Sequence, residues 1–265
     1  MDAAERDLLA DTLRKTTATA AGPALDAALA DLGWPAMLAE IPDIAVPLVF
    51  RLLGETGAHA PLLNDVLLHT AGRETGGTLP LPYAGGSWVL WARDGTTGHG
   101  VDPELPLRTV AAGDPVAGDP VVLAAGRRAL SWWLLGCGRA MLAQARQHVL
   151  DRSQFGRPLA SFQAVRHRLA ETLVALDGAE AALATAGTEA GALLGKAAAG
   201  RAALTAARHC QQVLGGIGFT AEHDFHRHAR RVLVLDGLLG SAWELTREAG
   251  ARIRREGSAR RLAQL

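Results

Sequence analysis

Lysine is almost missing from this chain. Lys15 and Lys196 are the only two among 265 residues, so nearly all of the basic charge is arginine. That bias, with its abundant alanine, is the mark of GC-rich coding and says nothing about activity. Net charge is missing too: 27 Lys and Arg balance 27 Asp and Glu. The balance excludes nucleic-acid binding by bulk charge. Cysteine is reduced to Cys137 and Cys210, both in alanine-rich, apolar surroundings. There is no CxxC pair and no disulfide framework, and two buried free thiols are expected. No uninterrupted apolar run reaches the ~20 residues of a membrane span. The opening MDAAERDLLADTLRK carries charge where a signal peptide needs an apolar core. A soluble, reducing, cytoplasmic setting is therefore expected. No repeat of fixed period is visible.

What is present is an apolar, globular composition. At 49% hydrophobic residues and zero net charge the chain is not intrinsically disordered. At roughly 100–200 residues per domain it makes one or two domains. Three zones differ in texture. Residues 1–74 read as short helices over 5–13, 24–32, 45–53 and 61–68, with Gly33-Trp34-Pro35 as a stop. Residues 75–119 are rich in glycine and proline, with strand-like runs over 78–83, 87–92 and 107–112. Residues 120–265 are helical again. Helices are expected over about 121–150, from just after Pro158 to about 186, and over about 193–214, 224–232 and 240–256. Proline is absent from 121 to 157, consistent with one unbroken helix. The fold class is mainly α: an antiparallel helical bundle preceded by N-terminal helices and a reduced β-rich insert.

Two segments carry a recognisable pattern: RSQFGRPLASFQ at 152–163, and QVLGGIGFT at 212–220 followed by Glu222. Both resemble the signature of the acyl-CoA dehydrogenase family, R-x-Q-F-G-x-P-x-x-x-F-Q and then Q-x-x-G-G-x-G-F-T-x-E. The resemblance is strong from about 120 to 256 and weaker over 28–34; it is poor in between. It implies the family's C-terminal four-helix bundle. The residue chemistry agrees. Arg152, just before an interhelical turn, can fork onto a pyrophosphate. Gly156 permits the turn and Pro158 pre-sets the next helix start. Phe155 and Phe162 offer flat apolar surface. Gly215 and Gly216 end a helix and let a ligand come close. In the family the matching residues bind FAD across a subunit interface. Carried over, Arg152, Gln154 and Phe155 meet the pyrophosphate and flavin region, and Gln212 and Gly216 the adenosine half. Gln163, Gly215 and Ser241 complete the candidate cofactor set. The alternative is a bundle whose turns keep these glycines for packing alone.

Two things that the resemblance demands are missing. The family's chemistry needs a carboxylate to take the α-proton of the acyl-CoA substrate. In most members it is a Glu shortly after the Q-x-x-G-G segment, just before Gly-Thr or Gly-Ser; here Leu239 stands at that position, before Gly240-Ser241. Some members place it on the helix before R-x-Q-F-G, which here falls near Gly126, Arg127 and Arg128. Asp236 and Glu244 are the carboxylates nearby, each more in keeping with a solvated helix position than with a base. The stretch from Gly76 to Gly118 is too short for the family's full β-domain, and 151 residues before Arg152 leave no room for it elsewhere. The chain is thus expected not to hold a whole FAD alone. This pattern resembles the heteromeric acyl-CoA dehydrogenases of actinobacteria, in which two unlike short subunits share one FAD per pair and several act on steroid side-chain CoA thioesters. It implies a partner subunit that carries the base, with the electron acceptor undefined. Two rivals stay open: a non-catalytic scaffold or regulator, and a self-sufficient homo-oligomer using Asp236 or Glu244.

The remaining features read as structure. His223, His226 and His228 form H-x-x-H-x-H, but the spacing does not share one helix face and no metal is expected. His148, His167 and His209 are isolated, suiting surface or satisfied core positions. Trp132-Trp133 is expected to split between core and interface. The arginine-rich stretch at 252–261 suits a helix C-terminus.

Overall fold

A computed structural model describes residues 2–95, 98 and 100–259. Asp2 and Glu5 cap each other's backbone and start α1 (Ala3–Thr19). Three further helices match the apolar periodicity: α2 (Pro23–Asp31), α4 (Pro42–Thr56) and α5 (Leu62–Thr70). One does not. Gly33-Trp34-Pro35 is not simply a stop, because α3 (Trp34–Glu40) begins there. Gly33 does end α2 with a left-handed backbone, but a proline in the first turn has no N–H to satisfy and starts the next helix.

The glycine-rich stretch forms a three-stranded antiparallel sheet of β1 (Pro80–Tyr83), β2 (Ser87–Trp91) and β3 (Leu107–Val110), in that order. Its register pairs Val89 with Leu81 on one side and Thr109 on the other. The sheet's inner contribution is Trp91, fully buried and stacked on Trp133 at 5.5 Å. Phe50 meets the edge of Trp133 at 5.7 Å, and Trp34 lies 6.4 Å from Phe50. Helices, sheet and bundle thus share one contiguous core. The two adjacent tryptophans differ, and the expected core member is found. Trp133 is core, while Trp132 is half-buried beneath the Arg51 guanidinium.

The spine is α6 (Pro120–Asp151), opened by Asp119, whose side chain accepts from the Val121 and Val122 amides. It packs against α4, α5, α7 (Gln163–Ala184), α8 (Glu189–Leu214) and α9 (Phe225–Gly237). α10 (Ala242–Glu256) leans on α8. Two helix starts differ from expectation. α8 begins a turn before 193, because Thr188 caps the Gly191 amide. The chain after Arg157-Pro158 does not enter a helix at once. It first closes a two-stranded ribbon, β4 (Ser153–Gln154) with β5 (Arg157–Pro158), and α7 starts only at Gln163. Cys137 and Cys210 are buried free thiols. No helix among the described residues is long and apolar enough to cross a membrane. Of the arginine-rich stretch, Arg260 and Arg261 lie outside the described residues, and Arg254 and Arg255 sit in the last turn of α10.

A buried ion cluster ties the connection between β2 and β3 to the bundle. Arg231 of α9, 1% exposed, pairs with Asp102 and, at 2.9 Å, with Glu104. Its other nitrogen donates to the Gly57 and Ala58 carbonyls at 3.1 and 3.0 Å, just past the end of α4. His59 and His228 flank it, and burial first, then the Arg231 charge, pushes each imidazole down to about 4. Unfolded imidazoles take protons near pH 6.5. Between those values the unfolded chain binds more protons than the folded one, so stability present at neutral pH drains away as pH falls from about 6.5 to about 4. Denaturant midpoints measured across that range fall steeply in the native chain, and His228→Gln flattens the fall.

Candidate functional site

The segment 152–163 forms a built turn. α6 stops at Arg152, whose backbone turns extended while its amide still bonds to the His148 carbonyl at 2.9 Å. The Leu159 amide closes the loop onto the Arg152 carbonyl at 2.8 Å. Between β4 and β5 lie only Phe155 and Gly156, with φ of 54° and 77°. Two left-handed residues are what a tight two-residue hairpin requires. Glycine does this freely, but a phenylalanine is strained there, on the order of 1–2 kcal/mol. Phe155 is also 87% exposed. Its one ring partner is Phe162, edge-on at 6.0 Å, and the Arg157 guanidinium covers that ring at 4.1 Å. A strained aromatic side chain held out in water gains nothing for this chain's own fold.

The segment 212–220 faces that turn. α8 ends at Gly215, whose φ of 65° needs glycine. Gly216 is different. A Cβ there would meet no atom of the chain within 4 Å, so packing within the chain does not call for it. Between the two segments runs a groove of about 980 Å³. It brings together Arg152, Gln154, Gln212, Gly215 and Gly216 of the expected set, and adds Arg168 and Arg208 with His148 and His209. No carboxylate lines it, and none of its three guanidiniums has a carboxylate partner among the described residues. Three unneutralised positive charges in one groove are an anion site by elementary electrostatics. Arg208 was legible, since it lies one turn before Gln212 on the same face of α8. Arg168 had no motif to mark it.

The other expected residues lie apart. Phe155 sits at the hairpin tip, and Gln163 is exposed with its amide 3.4 Å from His167 Nε2. Ser241 caps α10 in a reciprocal box with Glu244. That box gives Glu244 a structural role. It accepts from the Ser241 amide at 2.9 Å, its hydroxyl at 2.8 Å and the Gly85 amide at 2.9 Å. These backbone hydrogen bonds hold the Glu244 carboxyl below its usual range, the wrong direction for a base poised near neutrality. Asp236 accepts from the Ala242 amide at 3.1 Å and lies 4.0 Å from the fully buried Lys196 ammonium. Lys196 in turn holds the Asp236 and Gly240 carbonyls at 2.9 and 3.1 Å, and burial lowers it to about 8. The three histidines of 223–228 serve separate ends. His223 accepts from the Phe225 amide, His226 bonds to the His223 carbonyl, and His228 is buried beside Arg231. Among the described residues no group of His, Cys, Asp or Glu is placed to hold a metal.

Leu239 is 1% exposed, with a left-handed φ of 56°. Its amide donates to the Pro82 carbonyl at 2.8 Å and its own carbonyl accepts from Arg127 Nε at 3.0 Å. Its side chain lies against Gly126: a Cβ on Gly126 would stand 2.6 Å from Leu239 Cδ1 and 2.7 Å from Leu67 Cδ2. The turn position and the helix position, the two places that could have carried the carboxylate, therefore meet at one point, and that point is apolar and filled.

The chain is thus a helical bundle with a cationic groove at one interhelical turn. Similarity to known proteins gives this class its family. The profile for "Acyl-CoA dehydrogenase, C-terminal domain" matches residues 120–252. Acyl-CoA dehydrogenase FadE34 of Mycobacterium tuberculosis is 36% identical over 214 residues, covering 72% of this chain and 29% of that protein. Acyl-CoA dehydrogenase IpdE2 of the same organism is 34% identical over 137 residues, covering 51% of this chain and 43% of that one. The chain thus spans less than half the length of either relative. Among solved structures, the ChsE4-ChsE5 complex from Mycobacterium tuberculosis superposes with a TM-score of 0.70 at 20% identity, covering 98% of this chain and 99% of that one. A steroid ACAD variant, Tcur3481-Tcur3483, does so at 0.73 and 19%, covering 97% and 98%. At those identities the likeness is one of fold. The chain belongs to the acyl-CoA dehydrogenase family.

Leu239→Glu would place a carboxylate in a packed apolar contact. The expected result is a loss of roughly 2–5 kcal/mol in denaturant unfolding, with no gain of dehydrogenase activity.

Proposed function

We propose that this chain is one subunit of a FAD-dependent acyl-CoA dehydrogenase. It supplies flavin-binding residues in trans to a partner subunit that carries the catalytic base. The observation that carries the reading is a contrast inside one chain: the cationic groove is open and unneutralised, while the place for the base is closed by Leu239 on Gly126. The reaction is α,β-dehydrogenation of an acyl-CoA thioester, and FAD when bound supplies the hydride acceptor.

The residues present fit part of that cofactor. Arg152, with Arg168 and Arg208 in the same groove, suits a diphosphate. Gly216 leaves room for a ligand to approach the backbone, and Gln212 beside it offers an amide to the adenosine half. Phe155, held out of the turn at 87% exposure, suits burial against a partner or a ring system. Ile217 is exposed in the lining of this groove, and Leu150 and Phe219 are exposed on the segments that flank it in sequence, an apolar addition to a charged centre. A three-stranded sheet is a small cover for an isoalloxazine, which supports a flavin held mainly by the partner. The heteromeric architecture of the ChsE4-ChsE5 neighbour supports the same division. A bulky acyl-CoA of the steroid side-chain type is the proposed substrate class, and a cytoplasmic setting goes with it.

The homo-oligomer with a relocated base is disfavoured by the structural roles that Asp236 and Glu244 already fill. The expected result is a colourless protein when the chain is purified alone. A yellow complex with dehydrogenase activity is expected after coexpression with the acyl-CoA dehydrogenase-like product of the neighbouring gene. Arg152→Ala in that complex loses flavin at least about tenfold more readily. Tight FAD binding by the lone chain, or a complex in which Arg152→Ala changes nothing, contradicts the reading; the second outcome favours a scaffold.

A further inference from the structure

One cluster beside the groove has a hydrogen-bond order that can be solved atom by atom. Thr172 of α7 is fully buried, and its hydroxyl donates to the Arg168 carbonyl at 2.8 Å, one helical turn back. A hydroxyl has a single proton. Toward His209 of α8, whose Nδ1 lies 3.1 Å away, Thr172 Oγ1 must therefore accept. That fixes the proton of His209 on Nδ1 and leaves a lone pair on Nε2. Arg168 Nη1 stands 3.2 Å from that nitrogen and has only N–H groups to offer, so it donates. The order of donors that satisfies all three contacts runs from Arg168 to His209, His209 to Thr172 and Thr172 to the backbone. It holds only while His209 is neutral.

Arg168 is otherwise without a restraint. It is exposed and lines the groove, and no carboxylate pairs with it among the described residues. A long side chain left to itself is mobile; one hydrogen bond to a buried ring, 9% exposed, gives it a fixed direction.

We propose that Arg168 is a second guanidinium for the diphosphate received by this groove, aimed by neutral His209 on Thr172, and that protonation of His209 releases it. The proposal rests on the reading of the groove as a flavin-diphosphate site. It makes the subunit's grip on its ligand sensitive to pH through His209, which aims the guanidinium. The charged groups around His209 decide the sign. Burial, Arg168 and Arg208 oppose a proton on the ring, while Glu171 of α7 and a hydrogen bond to the Arg168 backbone favour it. His148 and Arg152 face the same groove from the end of α6. Burial leads, so the ring titrates below its ordinary value and the relay is intact at neutral pH. On acidification a proton enters at Nε2, the imidazolium presents N–H to N–H, and like charges push the guanidinium away.

The test uses the full chain and ADP as the probe, followed by calorimetric titration at about pH 7.5 and at a lower pH where the nitrogen-15 shifts show the His209 ring protonated, with adenosine as control; release of one charge-assisted hydrogen bond at the lower pH weakens ADP binding by about tenfold relative to His209→Gln, a comparison in which the titration of ADP itself cancels. Arg168→Gln has the weaker affinity at both pH values. His209→Gln, whose side-chain oxygen can accept from Arg168 without titrating, keeps the affinity and flattens the profile. Nitrogen-15 spectra of the histidine rings in the native chain report the Nδ1–H tautomer for His209 directly. If ADP binds and Arg152→Ala abolishes it while Arg168→Gln and His209→Gln match the native chain at both pH values, the relay is wrong and the groove reading stands. If the native chain binds ADP no better than adenosine, the groove reading fails and takes the relay with it. A His209 ring protonated on Nε2 alone also overturns the relay.

Discussion

Three glycines on α6 set the distance between that helix and most of what packs on it. Gly136 lies against Gly54 of α4, where an added Cβ would stand 2.2 Å from the Arg51 carbonyl oxygen. Gly138 admits Leu176 of α7, and Gly126 admits Leu67 of α5 and Leu239 from the turn after α9. At Gly136 the atoms met are backbone, so a larger residue there must move α4; at Gly126 and Gly138 the leucine side-chain ends would have to shift. The close approach of α4 brings Phe50 onto Trp133, and so joins the N-terminal helices to the bundle. The approach at Gly126 has a chemical consequence as well. It makes a packing contact of Leu239, the turn position at which the sequence resemblance leads one to expect a carboxylate.

On the proposed reading the same chain keeps one half of a site and closes the other. The groove at the far end of α6 holds three guanidiniums without carboxylate partners, and its glycine at 216 answers to no packing need within the chain. Strain at Phe155 and exposure of its ring point outward in the same way. Features that cost a lone subunit stability persist where an assembly uses them.

Much of this was legible in the sequence because the signals were local. The proline-free run of α6, the glycine stop at 215 and the alternating runs of the insert each fix an element through neighbours a few residues away. The helix starts were less legible. α3 is masked because Trp34-Pro35 reads as an end, and the start of α8 because Thr188, its cap, lies ahead of the apolar run. Of the expected cofactor residues, the groove collects five from the two motif segments. Phe155, Gln163 and Ser241 lie outside it, since a motif does not specify which way a side chain at a turn or helix end faces. Arg168, His209 and the Gly126–Leu239 contact were out of reach. Each depends on two segments far apart in the chain meeting at side-chain resolution, which periodicity does not report.

The central claim is a division of labour between unlike subunits, and the flavin content of the purified complex tests it most directly. Absorbance of released FAD, set against subunit amounts, gives the ratio. One FAD for each pair of unlike subunits is the predicted value. One FAD per copy of this chain, retained after separation from its partner, would contradict the account.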